Sequence, residues 1–227
     1  MKSVIRCLTL AICFFATFSL HCAYAQDDTR AQKIIDDLTA KFKTYPSVSI
    51  DFSVNIIQLQ DKSEMTQQGK IWLKGGKYKL ETTEYIIYFD GSKIYRYMPE
   101  VKEVNVDRPD PDADDEDFQL MNPQTFFNLS SKNFKSKLVK EGTQNNRQVY
   151  EIDLYPVQLK TTKLSRIHLM VEKTTLQIVN LKVLMKDTTQ YALSFKPYGI
   201  LQSALRDNFF TFNAIEHPGV EVIDLTF

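Results

Sequence analysis

The chain has 227 residues with 28 basic and 28 acidic side chains, so its formal net charge is zero. This balance, without a run rich in lysine or arginine, argues against nucleic acid as a partner. Hydrophobic residues make up 43% of the chain, including 11 tyrosines and 15 phenylalanines. This composition excludes a disordered or low-complexity protein and permits one sizeable core.

The first 25 residues have the pattern of a secretory signal peptide. Lys2 and Arg6 form a basic head, residues 8–20 are apolar, and residues 23–25 (Ala-Tyr-Ala) offer the small side chains that signal peptidase reads. The apolar run is too short to span a bilayer comfortably, which argues against the alternative of a membrane anchor. We predict cleavage after residue 25, leaving 202 residues with 26 basic and 28 acidic side chains.

All three cysteines of the chain lie within the predicted signal. Cleavage would leave no disulfide, thiol nucleophile or thiolate metal site in the mature chain. Lipidation of Cys22 is an alternative, although a lipidated cysteine normally follows a small residue and Cys22 follows His21. We expect residues 26–227 to form a single domain without a metal ion or other cofactor.

The first element of the mature chain is predicted to be an amphipathic helix over residues 27–45. Its apolar side chains recur at helical spacing: Ala31, Ile34, Ile35, Leu38 and Phe42. Such a stripe is typical of a helix that packs against a sheet. The alternative, a membrane-surface helix, needs a polar face rich in lysine and arginine, which this segment lacks.

Residues 47–99 form three strand-like blocks separated by turns. Apolar residues occupy every second position in the first block: Ile50, Phe52, Val54 and Ile56. This is the period of a half-buried antiparallel strand. Asp90-Gly91 lies between two apolar runs and indicates a hairpin, because glycine readily adopts the left-handed backbone of tight turns.

Residues 107–117 carry seven acidic side chains and two prolines. We expect a solvated loop, since blocks of like charge rarely pack. Aspartates alternate over residues 110–114 as in a calcium loop, but Asp115 stands where glycine is required and Met121 where glutamate is required. A weak metal site or a site for a basic partner is the remaining alternative.

A short helix is predicted from Asn122-Pro123, since a capping asparagine followed by proline suits a first turn. Phe126 and Phe127 give this helix an aromatic face. Further alternating strands are predicted over residues 149–155, 164–172, 176–185 and 191–195. Roughly ten antiparallel strands must curl, because their edges and apolar face need covering. The predicted fold class is mainly β (α+β), a strongly curved antiparallel sheet or half-open β-barrel covered by short helices.

Six segments carry a family resemblance through their order and spacing. They are residues 45–52, 69–74 (GKIWLK), 90–97 (DGSKIYRY), 101–104 (VKEV), 207–212 and 217–224 (HPGVEVID). Together they resemble the outer-membrane lipoprotein carrier family, the LolA-like proteins of Gram-negative periplasms. The resemblance implies a non-enzymatic periplasmic carrier with a LolA/LppX-like half-open barrel.

The resemblance also implies what such a carrier binds. Acyl chains of lipoproteins would occupy an apolar cavity. Cargo would come from an inner-membrane ABC lipoprotein transporter and pass to an outer-membrane acceptor. The candidate cavity residues carried over are Phe52, Trp72, Tyr78, Phe126 and Phe127. Ordinary core packing is the alternative for each of them, since clustered aromatics commonly form cores.

The sequence departs from the family pattern at Gly75-Gly76. Well-studied members have an arginine directly before a proline here, and that arginine is associated with holding the lid shut. Lys74 and Lys77 are the neighbouring candidates for lid control.

Two other classes of function stay open at the level of sequence. The first is a general lipid- or glycolipid-binding protein on the same curved sheet, since fold alone does not fix the ligand. The second is a hydrolase that uses paired carboxylates. His168 and His217 belong to no cluster with metal-ligand spacing, and the sequence has no nucleophile elbow or phosphate loop.

Overall fold

The computed structural model describes residues 28–109, 123–127, 129, 131–158 and 162–226. The predicted signal peptide, Cys22, the capping Asn122 and residues 110–117 of the acidic loop lie outside the described residues. The side chain of Phe126 also lies outside them.

Thirteen strands form one sheet in the described part of the chain, three more than the sequence indicated. They are β1 (Ser47–Gln58), β2 (Ser63–Lys74), β3 (Lys77–Thr82), β4 (Ile86–Phe89), β5 (Ile94–Met98), β6 (Glu103–Asp107), β7 (Phe134–Gln144), β8 (Arg147–Pro156), β9 (Leu164–Glu172), β10 (Ile178–Met185), β11 (Thr189–Phe195), β12 (Gly199–Leu201) and β13 (Glu221–Asp224). Their order is β13-β6-β5-β4-β3-β2-β1-β11-β10-β9-β8-β7, and β12 pairs with β1 outside this order. All pairs are antiparallel except β13 with β6.

The sheet is strongly curved and does not close. The five neighbouring strands from β3 to β10 would span about 19 Å if flat. Leu80 of β3 and Val183 of β10 nevertheless line the same small cavity. The end strands β7 and β13 do not pair with each other. The predicted architecture, a curved antiparallel sheet with short helices against it, is confirmed.

Two α-helices lie against the inner face of the sheet. Helix α1 covers residues 28–43, close to the predicted 27–45, and α2 covers Pro123–Phe127. The buried stripe of α1 consists of Ala31, Ile34, Ile35 and Leu38, which join the main hydrophobic core. Among the described residues, no helix combines the length and hydrophobicity needed to span a bilayer.

Two hairpin turns, one of them the predicted Asp90-Gly91 turn, have the backbone conformation that they require. Gly91 has a φ of +98°, and the Asp90 carboxylate accepts the backbone N–H groups of Ser92 and Lys93 at 2.8 Å. Asn145 and Asn146 connect β7 to β8 with φ of 48° and 62°. Positive φ at both central residues is the signature of a tight hairpin whose twist matches that of the strands.

The C-terminal segment, residues 205–226, packs on the outer face of the sheet. It contains two 3-10 helices, Asp207–Phe210 and Ala214–Glu216, before β13. Phe212 of this segment packs against Tyr88 and Tyr97 in a second, smaller apolar cluster. Apolar side chains are therefore covered on both faces in this half of the sheet.

Candidate functional site

A cavity of about 110 Å³ lies between the inner face of the sheet and α2. The strand period places the even-numbered residues of β1 on this face, so Phe52, Val54 and Ile56 line it. Neighbouring strands contribute the residues paired with them on the same face. The described residues that line the cavity are Phe52, Val54, Ile56, Gln67, Ile71, Leu80, Thr82, Tyr85, Pro123, Phe127, Val183, Tyr191, Leu193 and Phe195.

Among the described residues, no charged side chain or histidine belongs to this lining. Its few polar groups lie among aliphatic and aromatic ones, and Thr82 and Gln67 are among those with protein partners. Thr82 donates its hydroxyl to the Tyr85 carbonyl at 3.1 Å, and Gln67 donates its amide to Glu84 at 3.4 Å. Burial raises the pKa of Tyr85, so its hydroxyl stays neutral. The described lining residues therefore suit a hydrocarbon chain and offer no counter-charge to an ion.

Helix α2 contributes Phe127, which closes the cavity. The Phe127 ring stacks on Phe42 of α1, with centroids 4.6 Å apart and planes 12° apart. It also meets Phe195 of β11 at 6.2 Å and Tyr198 at 5.8 Å. Thr39 of α1 donates to the backbone carbonyl of residue 129, beyond α2, at 3.3 Å. One ring therefore joins both helices to the sheet, and separating α2 from the sheet must break this aromatic group.

Tyr198 supports the base of this aromatic group. Its hydroxyl accepts the Ile178 N–H at 2.9 Å and donates to the Ile178 carbonyl at 3.3 Å. Burial raises the pKa of Tyr198 far above its usual value, so the hydroxyl remains a donor. The segment after β11 is thereby fixed to β10, beneath the contact between Phe42 and Phe127.

Two of the predicted cavity residues, Phe52 and Phe127, line the cavity. Phe52 lies over Gly69 of β2, where an added Cβ would come within 2.7 Å of the Phe52 ring and 2.4 Å of a backbone carbonyl oxygen. Tyr78 is on the same face but only 2% exposed, packed against Phe89 with ring centroids 5.3 Å apart. Tyr78 is a core residue beside the cavity and does not line it.

The placement of Trp72 in the cavity is wrong. Trp72 lies between Ile71 and Leu73, which face inward, so strand alternation turns its indole to the outer face. There it packs edge-on against Phe209 of the C-terminal segment, with ring centroids 5.7 Å apart. The ammonium groups of Lys70 and Lys79 lie 5.3 Å from the Trp72 ring centroid.

The two lysines predicted to control the lid bind the C-terminal segment. Lys74 and Lys77 form ion pairs with Asp207, with nitrogen–oxygen distances of 2.6 and 3.1 Å. Lys74 also donates to the Leu205 carbonyl at 2.6 Å. The two lysines hold the pKa of Asp207 below its usual value. These contacts fix the segment to the hairpin between β2 and β3, and a role of either lysine in lid closure stays a prediction.

The two histidines of the predicted mature chain, His168 and His217, have separate surroundings. His168 contacts the buried Asp153 through Nδ1 at 2.7 Å, and Arg166 donates to the same carboxylate at 2.9 Å. His217 packs between Tyr97 and Phe212, with ring centroids 4.4 and 4.9 Å away. Within residues that the structure describes, no group of three or more histidine, cysteine, aspartate or glutamate side chains could hold a metal ion.

Solved structures resemble this chain in fold. An uncharacterized conserved protein from Thermus thermophilus has a TM-score of 0.55 at 8% identity, over 86% of this chain and 99% of that one. A putative outer membrane lipoprotein-sorting protein domain from Vibrio parahaemolyticus has a TM-score of 0.47 at 9% identity, over 80% and 97%. A LolA superfamily protein from Nitrosomonas europaea has a TM-score of 0.42 at 13% identity, over 80% and 97%.

At sequence identities of 8–13%, these comparisons show a similarity of fold alone. No protein-family model matches the chain, and no curated protein matches its sequence.

Proposed function

We propose that this chain is a periplasmic lipoprotein carrier whose cavity shields the acyl chains of its cargo from water. The observation that carries the proposal is the apolar cavity between the curved sheet and α2, with no charged side chain among its described lining residues. Each buried methylene contributes about 0.8 kcal/mol, so a long acyl chain gains on the order of 10 kcal/mol when it leaves water. A carrier must bury the acyl chain during transport and must also release it at delivery.

The size of the cavity favours an unloaded form of the carrier. At about 110 Å³ the cavity falls below the roughly 300–1,000 Å³ of sites that enclose whole ligands. Loading therefore requires α2 to separate from the sheet, and the contacts of Phe127 oppose that movement. A closed, small cavity also limits the apolar surface that an empty carrier exposes to water.

The proposed cycle uses partners on both membranes. Acylated lipoproteins reach the chain from an inner-membrane ABC transporter and leave it for an outer-membrane acceptor. The resemblance of the six sequence segments and the secretory pattern of residues 1–25 support this assignment. Among the described residues, the lining has no carboxylate, histidine, lysine, serine or cysteine to act on a bound chain, which favours a binding protein over a hydrolase.

Native mass spectrometry of the mature protein, released gently from a Gram-negative envelope, tests the proposal. We expect a complex with a triacylated lipoprotein. Free fatty acid or phospholipid alone would favour a general lipid-binding protein. Protein that stays empty after incubation with acyl ligands would contradict binding in the cavity.

A further inference from the structure

A second pocket lies on the outer face of the sheet, away from the acyl cavity. Its volume is about 730 Å³, and it is bounded by β3 and β4 on one side and the C-terminal segment on the other. It shares no lining residue with the inner cavity. Its volume falls within the range typical of sites for small organic ligands. The proposed carrier function assigns it no role.

Strand register builds the floor of this pocket. Lys79 of β3 and Tyr88 of β4 line the pocket at directly paired positions, and Trp72 of β2 pairs with Lys79 and extends the row across the outer face beside the pocket. The Lys79 side chain is 16% exposed and its ammonium lies 5.1 Å from the Tyr88 ring and 5.3 Å from the rings of Trp72 and Phe209. A cation surrounded by ring faces already occupies this floor, which disfavours a second cation as ligand.

Within the described part of the chain, the hydrogen-bond donors of Lys79 are only partly used. Glu81 lies 3.3 Å from the ammonium, and an ammonium has three N–H donors. Its aromatic neighbours attract the ammonium charge through their ring faces but accept no conventional hydrogen bond from it. A mostly buried ammonium with spare donors is suited to a further anionic acceptor, because the low local dielectric strengthens that interaction.

Arg206 adds a second positive group to the same pocket. In the part of the chain that the structure describes, its guanidinium makes no side-chain hydrogen bond or ion pair. A guanidinium binds carboxylates and phosphates in a two-pronged manner that an ammonium cannot match. Glu216 is the acidic residue in the lining, and the Asn213 amide donates to it at 2.9 Å.

Aromatic side chains form the opposite wall. Phe209 and Phe212 of the C-terminal segment line the pocket together with His217, which stacks on Phe212 at 4.9 Å with planes 10° apart. Such walls favour a ligand that has a flat or ring-shaped part. The pocket thus combines two cations with aromatic surfaces.

We infer that this outer pocket binds a small organic anion that carries a ring. Lys79 and Arg206 hold the carboxylate or phosphate, and the ring packs against Phe209 and Phe212. The ligand is separate from the acyl cargo, since the sheet lies between the two sites. Binding would also favour the docked C-terminal segment, because that segment supplies one wall.

The intrinsic fluorescence of Trp72 provides the assay. Trp72 is the only tryptophan of the chain, and its ring lies 5.7 Å from the pocket residue Phe209. Phenyl phosphate is the first probe and benzoate the second, so that phosphate and carboxylate ligands are compared. Phenol serves as the neutral ring and inorganic phosphate as the anion without a ring.

We expect phenyl phosphate or benzoate to produce a saturable change, with phenol and inorganic phosphate each at least about fivefold weaker. Arg206→Gln should weaken binding about tenfold, because a charge-assisted contact is lost. Lys79→Gln should act in the same direction. Lys196→Gln, which removes a 76% exposed cation elsewhere, is the matched control and should change nothing.

Backbone amide shifts of Phe209 and Asn213 in NMR spectra provide a second readout if the fluorescence is silent. Absence of saturable binding in both measurements up to about 10 mM would overturn the inference. Equal affinity for phenol and phenyl phosphate would also overturn it, as would undiminished binding by Arg206→Gln. Displacement of phenyl phosphate by an acyl ligand would contradict two separate sites.

Discussion

The substitution Phe127→Ala distinguishes a role of Phe127 in closing the cavity from a role in binding the acyl chain. Phe127 is 2% exposed and contacts Phe42, Phe195 and Tyr198. The unloaded form is stabilised by these contacts, and an acyl chain can enter only when they are broken. We therefore expect the variant to unfold more readily and yet to bind acyl ligands more tightly.

The two effects have different magnitudes. Truncation of a buried phenylalanine costs about 3–5 kcal/mol of stability, because a cavity replaces the ring. The stack on Phe42, at 4.6 Å and 12°, contributes about 0.5–1.5 kcal/mol beyond simple burial. If that stack holds α2 closed, its loss raises the population competent to bind by the same free energy. The apparent Kd should then fall about two- to tenfold.

Titration with a fluorescent fatty acid measures this change, and urea unfolding measures stability. Phe210→Ala is the matched control, because Phe210 is 0% exposed but lies in the C-terminal segment. It should lose comparable stability and keep the parent affinity. Weaker acyl binding by Phe127→Ala than by Phe210→Ala would refute the reasoning and show that the Phe127 ring holds the ligand.

Three further predictions concern the strand face, the C-terminal segment and the base of the aromatic group. Ile56→Trp fills the cavity and should weaken fatty-acid binding at least about tenfold, whereas Ile57→Trp, on the opposite face of β1, should leave it unchanged. The two lysines lower the pKa of Asp207 from 3.8, so their contribution is complete above that pH and is lost as pH falls through the lowered pKa. Protection of the C-terminal amides, measured relative to the intrinsic exchange rate at each pH, should fall below that pH, and Asp207→Asn should show low protection at every pH. A parent protein whose protection does not respond to acid would contradict the anchoring role. Tyr198→Phe leaves two backbone groups without their hydroxyl partner and should lower the urea-unfolding free energy by about 1–3 kcal/mol, and an unchanged midpoint would refute that assignment.

Local periodicity made the inner face of the fold predictable. The alternation around Phe52 predicted β1 and its buried side, and the helical spacing of Ile34, Ile35 and Leu38 predicted α1 and its stripe. Asp90-Gly91 predicted the turn between β4 and β5. These patterns depend on residues close together in the chain, which is why a single sequence contains them.

The same alternation could have placed Trp72 correctly. Ile71 and Leu73 flank it with inward parity, so the strand period already turned the indole outward. Aromatic character misled the assignment, because the C-terminal segment makes part of the outer face apolar as well. That cover depends on Phe209, which follows Trp72 by well over a hundred residues and leaves no local signal.

Neither strand β7 nor the ion pairs of Lys74 and Lys77 could be predicted from the sequence, and the reasons are related. β7 (Phe134–Gln144) is an edge strand with several lysines, and such charges protect an edge while hiding its alternation. The pairing of Lys74 and Lys77 with Asp207 joins distant parts of the chain. β12 and β13 contain three and four residues, too few for a period to show.

Photo-crosslinking with a diazirine-bearing fatty acid tests the central claim most directly, because the label reports which side chains touch the acyl chain. The account predicts crosslinks on cavity residues such as Ile56, Val183 and Leu193, found by peptide mass spectrometry and abolished by excess unlabelled fatty acid. Crosslinks confined to the outer face, around Trp72 and Phe209, or labelling that excess ligand does not suppress, would contradict an acyl-binding cavity beneath α2.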